Sequence, residues 1–341
     1  MKYILKNLIV ILFILFGIFS LSSILPSMGY AQDSSITNTA NTHDSFNIAV
    51  ASDWGCKGDA EQTANNIQSH DPDLVIAGGD LSYKGSAACW MDIIAPFKDK
   101  TTISMGDHDY DDTTGGKTGA IKDYLKPLGI TNTYYSFNLH NVHFVAIDPY
   151  VAYGPNSPQY RFVINDLSNA YNDPNIDWIF VIEHIPLYTS PSKHPADSTI
   201  RDVFHPLFDK YNVDLVFSGD NHNYQRTYPL IYNPSDSSAP IISKKDHSNY
   251  KDDKDGVIYL ISGAAGRSHY DITQQAPFVA KQDDTQFGFL NIDIKSDKAL
   301  VGTFYANERN PNYNPISDTN QRGNIVDQFT ISKLTTVGSR S

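Results

Sequence analysis

Five short apolar runs in this chain lead to an aspartate or a histidine, three of them directly preceded by a glycine. Residues 47–51 lead into Ser52-Asp53-Trp54-Gly55, and residues 74–77 into Gly78-Gly79-Asp80-Leu81-Ser82-Tyr83. Residues 101–105 lead to Gly106-Asp107-His108-Asp109, residues 178–182 to His184, and residues 215–217 to Gly219-Asp220-Asn221-His222. Runs this short and rich in Val, Ile and Phe read as buried strands. Ligands of open α/β sheets bind beyond the carboxyl ends of strands, where such loops converge. Glycine beside a ligand permits the tight turn and close backbone approach that convergence needs. Taken singly, an aspartate after a strand is a turn or capping residue, and a histidine a hydrogen-bonded structural one. Core packing does not explain five such strand ends together, so the joint pattern indicates one site.

Further runs at residues 142–147, 257–261, 287–294, 300–305 and 329–331 add strands. Amphipathic stretches at residues 60–69, 87–97, 159–171 and 199–211 predict helices between the early ones. The alternation of strand and helix gives way to strands in succession towards the C-terminus. That order predicts an α/β core with partly mixed sheets, not a purely parallel doubly wound one. Residues 233–256 crowd Pro, Ser, Lys and Asp together and predict a long surface loop with no core role.

Lys2 and Lys6 flank the start of an apolar run over residues 8–25, and Gly29-Tyr30-Ala31 follows at cleavage spacing. This predicts a signal peptide over residues 1–31, with a retained anchor as the alternative. Either puts the remainder outside the cytoplasm, secreted or at the cell surface. Residues 32–45 read as a flexible leader, 46–334 as one folded domain and 335–341 as a flexible tail. Removing residues 1–31, with two lysines and no acid, takes the formal charge from −12 to −14. An acidic exterior argues against nucleic-acid binding. Membrane contact is expected only through an uncleaved N-terminal segment. Cys56 and Cys89, the only cysteines, predict a disulfide in an exported protein, tying together the first two ligand loops. Two separate thiols are the alternative.

The order Asp53-Trp54-Gly55, Gly79-Asp80-x-x-Tyr83, Gly106-Asp107-His108-Asp109, His184-x-Pro186 and Gly219-x-x-His222 resembles the calcineurin-like metallophosphoesterases. Within them it is most similar to the purple acid phosphatase-like branch, marked by Tyr83 and by the Trp-Gly after Asp53. The resemblance runs from about Phe46 to Tyr305. It implies an α/β, four-layer sandwich of two mixed β-sheets flanked by α-helices, the metallophosphoesterase fold. A single-domain form is expected, because nothing before Phe46 reads as the extra β-domain of larger plant-type members.

The resemblance also implies two adjoining metal ions. Asp53, Asp80, Tyr83 and His222 would hold the first, where a phenolate suits iron. Asp80 as the bridge, with Asp107, His184 and Asp220, would hold a second, divalent ion: Mn, Fe, Mg or Zn. A metal-bound hydroxide would attack a phosphate-ester small molecule. His108 would protonate the leaving alkoxide or steady the transition state, with Asp109 and His194 completing the candidate catalytic set. Two positions depart from the family, which usually has Asn at 107 and His at 220. The resulting oxygen-rich second position shifts preference from zinc towards manganese, magnesium or ferrous iron. Arg226, in a Tyr-Gln-Arg version of a family Tyr-Glu-Arg segment, is expected to be structural. Lys57, Lys84 and Lys193 lie near ligand loops, to meet phosphate oxygens or only solvent. The function implied is an exported, acid phosphatase-like hydrolase of phosphomonoesters. A phosphodiesterase and a non-catalytic metal- or phosphate-binding protein are the alternatives.

Overall fold

The computed structural model describes residues 45–84, 86–110, 120–252, 256–307 and 324–333. The expected signal segment, nearly all of the leader and the tail lie outside them. The first half of the domain alternates strands and helices. β1 (Phe46–Ala51), α1 (Gly58–His70), β2 (Leu74–Gly78), α2 (Ala88–Ile93) and β3 (Thr101–Ser104) come first. Then follow α3 (Asp107–Tyr110), α4 (Ala120–Leu125), β4 (Tyr135–Leu139), β5 (Val142–Ala146) and α5 (Pro158–Asn172). β6 (Trp178–Ile182), α6 (Ser198–Lys210) and β7 (Leu215–Ser218) close this half. Strands alone follow: β8 (Tyr224–Thr227), β9 (Leu230–Ile231), β10 (Ile241–Ile242), β11 (Asn249–Asp252) and β12 (Ile258–Ser262). The last are β13 (Val279–Asp283), β14 (Gly288–Ser296), β15 (Ala299–Ala306) and β16 (Asn324–Lys333).

The strands form two seven-stranded mixed sheets, ordered β11-β16-β15-β14-β1-β2-β3 and β13-β8-β12-β7-β6-β5-β4. Residue alternation along each strand decides the layers. Phe46, Ile48 and Val50 of β1 share one core with Trp178, Phe180 and Ile182 of β6 and with Phe217 and Leu260. That core lies between the sheets. The intervening Ala49 and Ala51 turn to the other face, against Ala60, Ala64 and Ile67 of α1 and Trp90 of α2. On the second sheet, Ile179 and Val181 turn outward to Val163 and Leu167 of α5 and Phe204 and Phe208 of α6. Four layers result, the fold expected. Asp197 caps α6 by accepting from Thr199 N and Ile200 N at 2.7 and 3.3 Å, and Ser157 caps α5 through Tyr160 N at 3.0 Å.

One expectation is overturned. Residues 233–256 are not a loop without a core role. They carry β10 and β11, β11 pairs in parallel with β16, and Tyr250 is buried in the core between the sheets. An edge strand is chosen by the partner edge it meets, which local polarity does not reveal. The same region anchors Arg226. Its buried guanidinium donates to Asp327 of β16, in the other sheet, at 2.6 and 3.0 Å and to the carbonyl of His247 at 2.8 Å. Among the described residues no helix is long and apolar enough to cross a membrane.

Cys56, after β1, and Cys89, in α2, are joined by a disulfide, 33 residues apart in sequence. Replacing both by alanine should lower stability by about 2–4 kcal/mol through the freed chain entropy. Denaturant unfolding of the double variant reads this directly, and an unchanged midpoint would refute it.

Candidate metal centre

The loops that follow β1, β2, β3, β6 and β7 meet at one end of the two sheets. Backbone bonds hold them together: Asp53 N donates to Gly79 O at 3.2 Å, Trp54 N to Asp80 O at 3.0 Å, and Gly219 N to His184 O at 2.9 Å. Asp53, Asp80, Tyr83 and Asp220 all have left-handed backbone, with φ of 61, 55, 55 and 64°. That conformation is costly for side chains with a Cβ, and such residues concentrate where function requires their orientation. Gly79 is at φ +90°, and a Cβ there would lie 2.6 Å from His184 Nδ1 and 2.7 Å from Gly106 N. Only glycine lets the second loop pass between the other two.

Two groups of side chains face one another. On one side Tyr83 OH lies 3.1 Å from Asp53 Oδ1 and 2.9 Å from His222 Nε2. His222 Nε2 is 3.5 Å from the same Asp53 oxygen. On the other, His184 Nε2 lies 3.5 Å from Asp80 Oδ1 and 3.9 Å from Asp107 Oδ1. Asp220 Oδ1 is 3.8 Å from His194 Nδ1. Ligand atoms of Asp53, Asp80 and His184 lie within 4.8 Å of one another, as do those of Asp107, His184 and Asp220. Asp80 also joins Asp107 and His108 in a third such trio, so it stands between both sides.

Each imidazole has its tautomer set by a backbone carbonyl, which can only accept. His184 Nδ1 donates to Gly78 O at 2.8 Å, and His222 Nδ1 to Ser268 O at 2.7 Å. Both Nε2 atoms are thereby aimed at carboxylates, the arrangement typical of histidine ligands. Asp53 Oδ2 and His184 Nε2 are buried with no hydrogen-bond partner, an arrangement that costs free energy unless a cation completes it. Burial raises Asp53 well above the usual carboxylate range, and Asp80 and Asp220 add to this against the pull of His184. Burial also raises Asp220, against His184 and His194, and lowers His222 to about 3. Burial pulls His184 down as well, but Asp80, Asp53 and Asp220 together carry it up to about 10. A cation held by those carboxylates would compete with that proton, so affinity would rise with pH. Burial followed by Asp53 and Asp80 keeps the Tyr83 phenol protonated far beyond its ordinary range. A phenolate there would need a cation. Four carboxylates, two oriented imidazoles and a phenol fit two metal ions.

The candidate catalytic residues occupy different ground. His108 lies on the rim, its side chain 46% exposed, with its ring 4.4 Å from that of Tyr83. Its backbone N–H donates to Asp80 Oδ1 at 3.1 Å. His194 is fixed by Asn221, which accepts from its N–H at 3.0 Å and donates to its carbonyl at 2.8 Å. Asp109 is taken up by the backbone of the ligand loops. Its fully buried carboxylate accepts from Asp80 N at 2.9 Å, Leu81 N at 3.0 Å and Gly106 N at 2.9 Å. Burial and then Asp80 push it up to about 7, against the pull of the Gly106 and Leu81 N–H groups. It fastens the second loop to the third. Lys84 is exposed, Lys57 precedes α1, and Lys193 Nζ donates to Tyr270 OH at 2.9 Å.

Sequence reasoning missed the segment after β12. Its Ser268 carbonyl orients His222, and Tyr270 stacks on the His222 ring at 3.8 Å. Gly263-Ala264-Ala265-Gly266, a run of small residues just past a strand, was the signal available.

A family model described as calcineurin-like phosphoesterase matches residues 46–224. Probable purple acid phosphatase 20 of Arabidopsis thaliana is 26% identical over 211 residues, 57% of this chain and 49% of that protein. Purple acid phosphatase 23 of the same plant is 27% identical over 233 residues, with 57% and 50% covered. The chain thus spans about half the length of these curated relatives. Among solved structures, a purple acid phosphatase from seeds of yellow lupin (Lupinus luteus) superposes with a TM-score of 0.70. It is 19% identical, covering 87% of this chain and 58% of that one. A Plasmodium protein described as the anchor in the inner membrane complex gives a TM-score of 0.59 at 15% identity, covering 88% of this chain and 100% of that one.

Proposed function

This chain belongs to the calcineurin-like phosphoesterase family, whose model spans residues 46–224, and on that premise we propose that it is an exported two-metal phosphomonoesterase. The observation that carries the proposal is the pair of imidazoles, each locked by a backbone carbonyl with Nε2 aimed at carboxylates. Asp53, Asp80, Tyr83 and His222 would hold an iron ion. Asp80, Asp107, His184 and Asp220 would hold a divalent ion, with Mn, Fe or Mg favoured over Zn by the oxygen-rich donor set. Bound there, the cations would supply positive charge to the phosphoryl oxygens and acidify the attacking water.

The protein's own groups would do the rest. His108, on the rim beside Asp80 and Tyr83, would give its proton to the departing alkoxide oxygen. His194, near Asp220 and held by Asn221, would steady a phosphoryl oxygen from the opposite wall. Asp109 would not handle a proton; it would keep Asp80 in place. Export is supported by the disulfide, which persists in oxidising compartments.

A second, non-catalytic reading is favoured by one observation. Asp107 is 54% exposed at the cleft, and with Asp220 it adds negative charge facing an anionic ester. Assays of the full chain with p-nitrophenyl phosphate and bis(p-nitrophenyl) phosphate, with manganese, iron, zinc or magnesium added, separate the readings. The monoester should turn over faster than the diester. The reverse order would make the protein a diesterase, and no turnover despite bound metal would make it a binder.

A further inference from the structure

We propose that Arg267 binds the non-bridging oxygens of the substrate phosphate and biases the site towards doubly charged monoesters. The described chain has four arginines. Arg161 donates to the carbonyl of Asn156, Arg201 to the carbonyl of Leu187, and Arg226 to Asp327. Among the described residues, only the Arg267 guanidinium has neither an ion pair nor a hydrogen bond. This half-buried guanidinium therefore keeps its N–H edge open to a ligand.

Its location indicates what arrives. The segment after β12 returns along the first ligand loop, with Ala265 N donating to Ser52 O at 3.1 Å and Arg267 N to Asp53 O at 2.9 Å. A Cβ on Gly266 would lie 2.6 Å from both Trp54 O and Ala60 N, so the approach is tight. The guanidinium carbon then sits 4.4 Å from the centroid of the Tyr83 ring. The hydroxyl of that same ring is 3.1 Å from Asp53 Oδ1 and 2.9 Å from His222 Nε2. Stacking covers one face of the guanidinium but none of its N–H edge. A planar edge of free donors beside a metal-type site suits two oxygens of a phosphoryl group.

Charge balance favours the same conclusion. Asp107 and Asp220 load the opposite side of the cleft with carboxylates, so an anionic ester is drawn to the Arg267 side. Lys193 already donates to Tyr270 OH at 2.9 Å. A monoester dianion gains more from a fixed cation than a singly charged diester does.

Arg267's role presupposes the phosphoesterase assignment, so binding and turnover are measured separately. Metal-loaded full-length protein is titrated with inorganic phosphate by calorimetry and assayed on both p-nitrophenyl esters. Arg267→Ala and Arg267→Gln should weaken phosphate binding and raise KM for the monoester by ~10–100-fold, the range of a charged hydrogen-bonded contact. Arg267→Lys should recover part of the loss, and the monoester-to-diester ratio should fall in all three. Metal content is measured in each variant. Unchanged phosphate affinity and KM would overturn the role, as would losses that track lost metal, which would reduce Arg267 to a prop for Tyr83. A wild-type protein that binds phosphate through Arg267 without hydrolysing any ester would sustain Arg267 while refuting the phosphatase.

Discussion

Asp80→Asn should cut kcat/KM for p-nitrophenyl phosphate by at least ~10³-fold, about 4 kcal/mol of transition-state stabilisation. Asparagine is chosen because Asp80 sits at φ 55°, where Asn is among the few residue types that settle without added strain. The change therefore removes charge and bridging capacity while sparing the loop. Its amide oxygen can still accept from His108 N, as Asp80 Oδ1 does at 3.1 Å. Metal content measured by elemental analysis should fall together with activity. Stability of the metal-free protein should hold or improve, since Asp80 is one of the charges crowding buried Asp53. Full activity with both metals retained would end the two-metal assignment.

Asp109→Ala should destabilise the protein by at least about 3 kcal/mol, because it strands three buried N–H donors at roughly 1–3 kcal/mol each. Those donors belong to Asp80, Leu81 and Gly106, so the second and third loops part where Asp80 is held. Metal affinity should fall with stability. Asp109→Asn, which keeps one carbonyl oxygen, should lie between wild type and alanine. A bracing role and a proton-transfer role differ in one readout. If Asp109 braces, the loss is the same for esters with good and poor leaving groups. If it protonated the leaving oxygen, alkyl phosphates would suffer far more than p-nitrophenyl phosphate. That pattern would restore Asp109 to the catalytic set.

The sequence was most informative where chemistry and local pattern coincide. Asp53, Asp80, Asp107, His184 and Asp220 each follow a short run whose burial needs no distant partner to recognise. The layers came from the resemblance and not from the strands themselves: Ile48 and Ala49 face opposite cores, but a run of apolar and small residues does not say which face meets which partner. Elements chosen by tertiary context were not legible. β4, β8, β11 and β13 carry Asn, Gln, Arg, Lys and Asp, and become strands because a neighbouring edge receives them. Arg267 and Ser268 were hidden for a related reason. Their importance depends on β12 lying in the other sheet from β1 and its trailing segment crossing back to Asp53. Asp109 was visible as a motif position but its three backbone bonds were not, because a motif gives identity and order and not a side chain's partners.

The pairing of β1 with β14 has a kinetic consequence. Phe46 lies opposite Ile294, and Val50 opposite Leu290. On its other side β1 pairs with nearby β2, so the strand that positions Asp53 is complete only once the far end of the chain arrives. Closing so large a loop is slow. The N-terminal half, with most of the site's ligands, would wait as an open sheet edge while the rest is synthesised. Such a chain folds late and as a unit, and exposed strands in the interval are prone to wrong partners. Its yield on refolding should therefore depend on concentration more steeply than its native stability suggests.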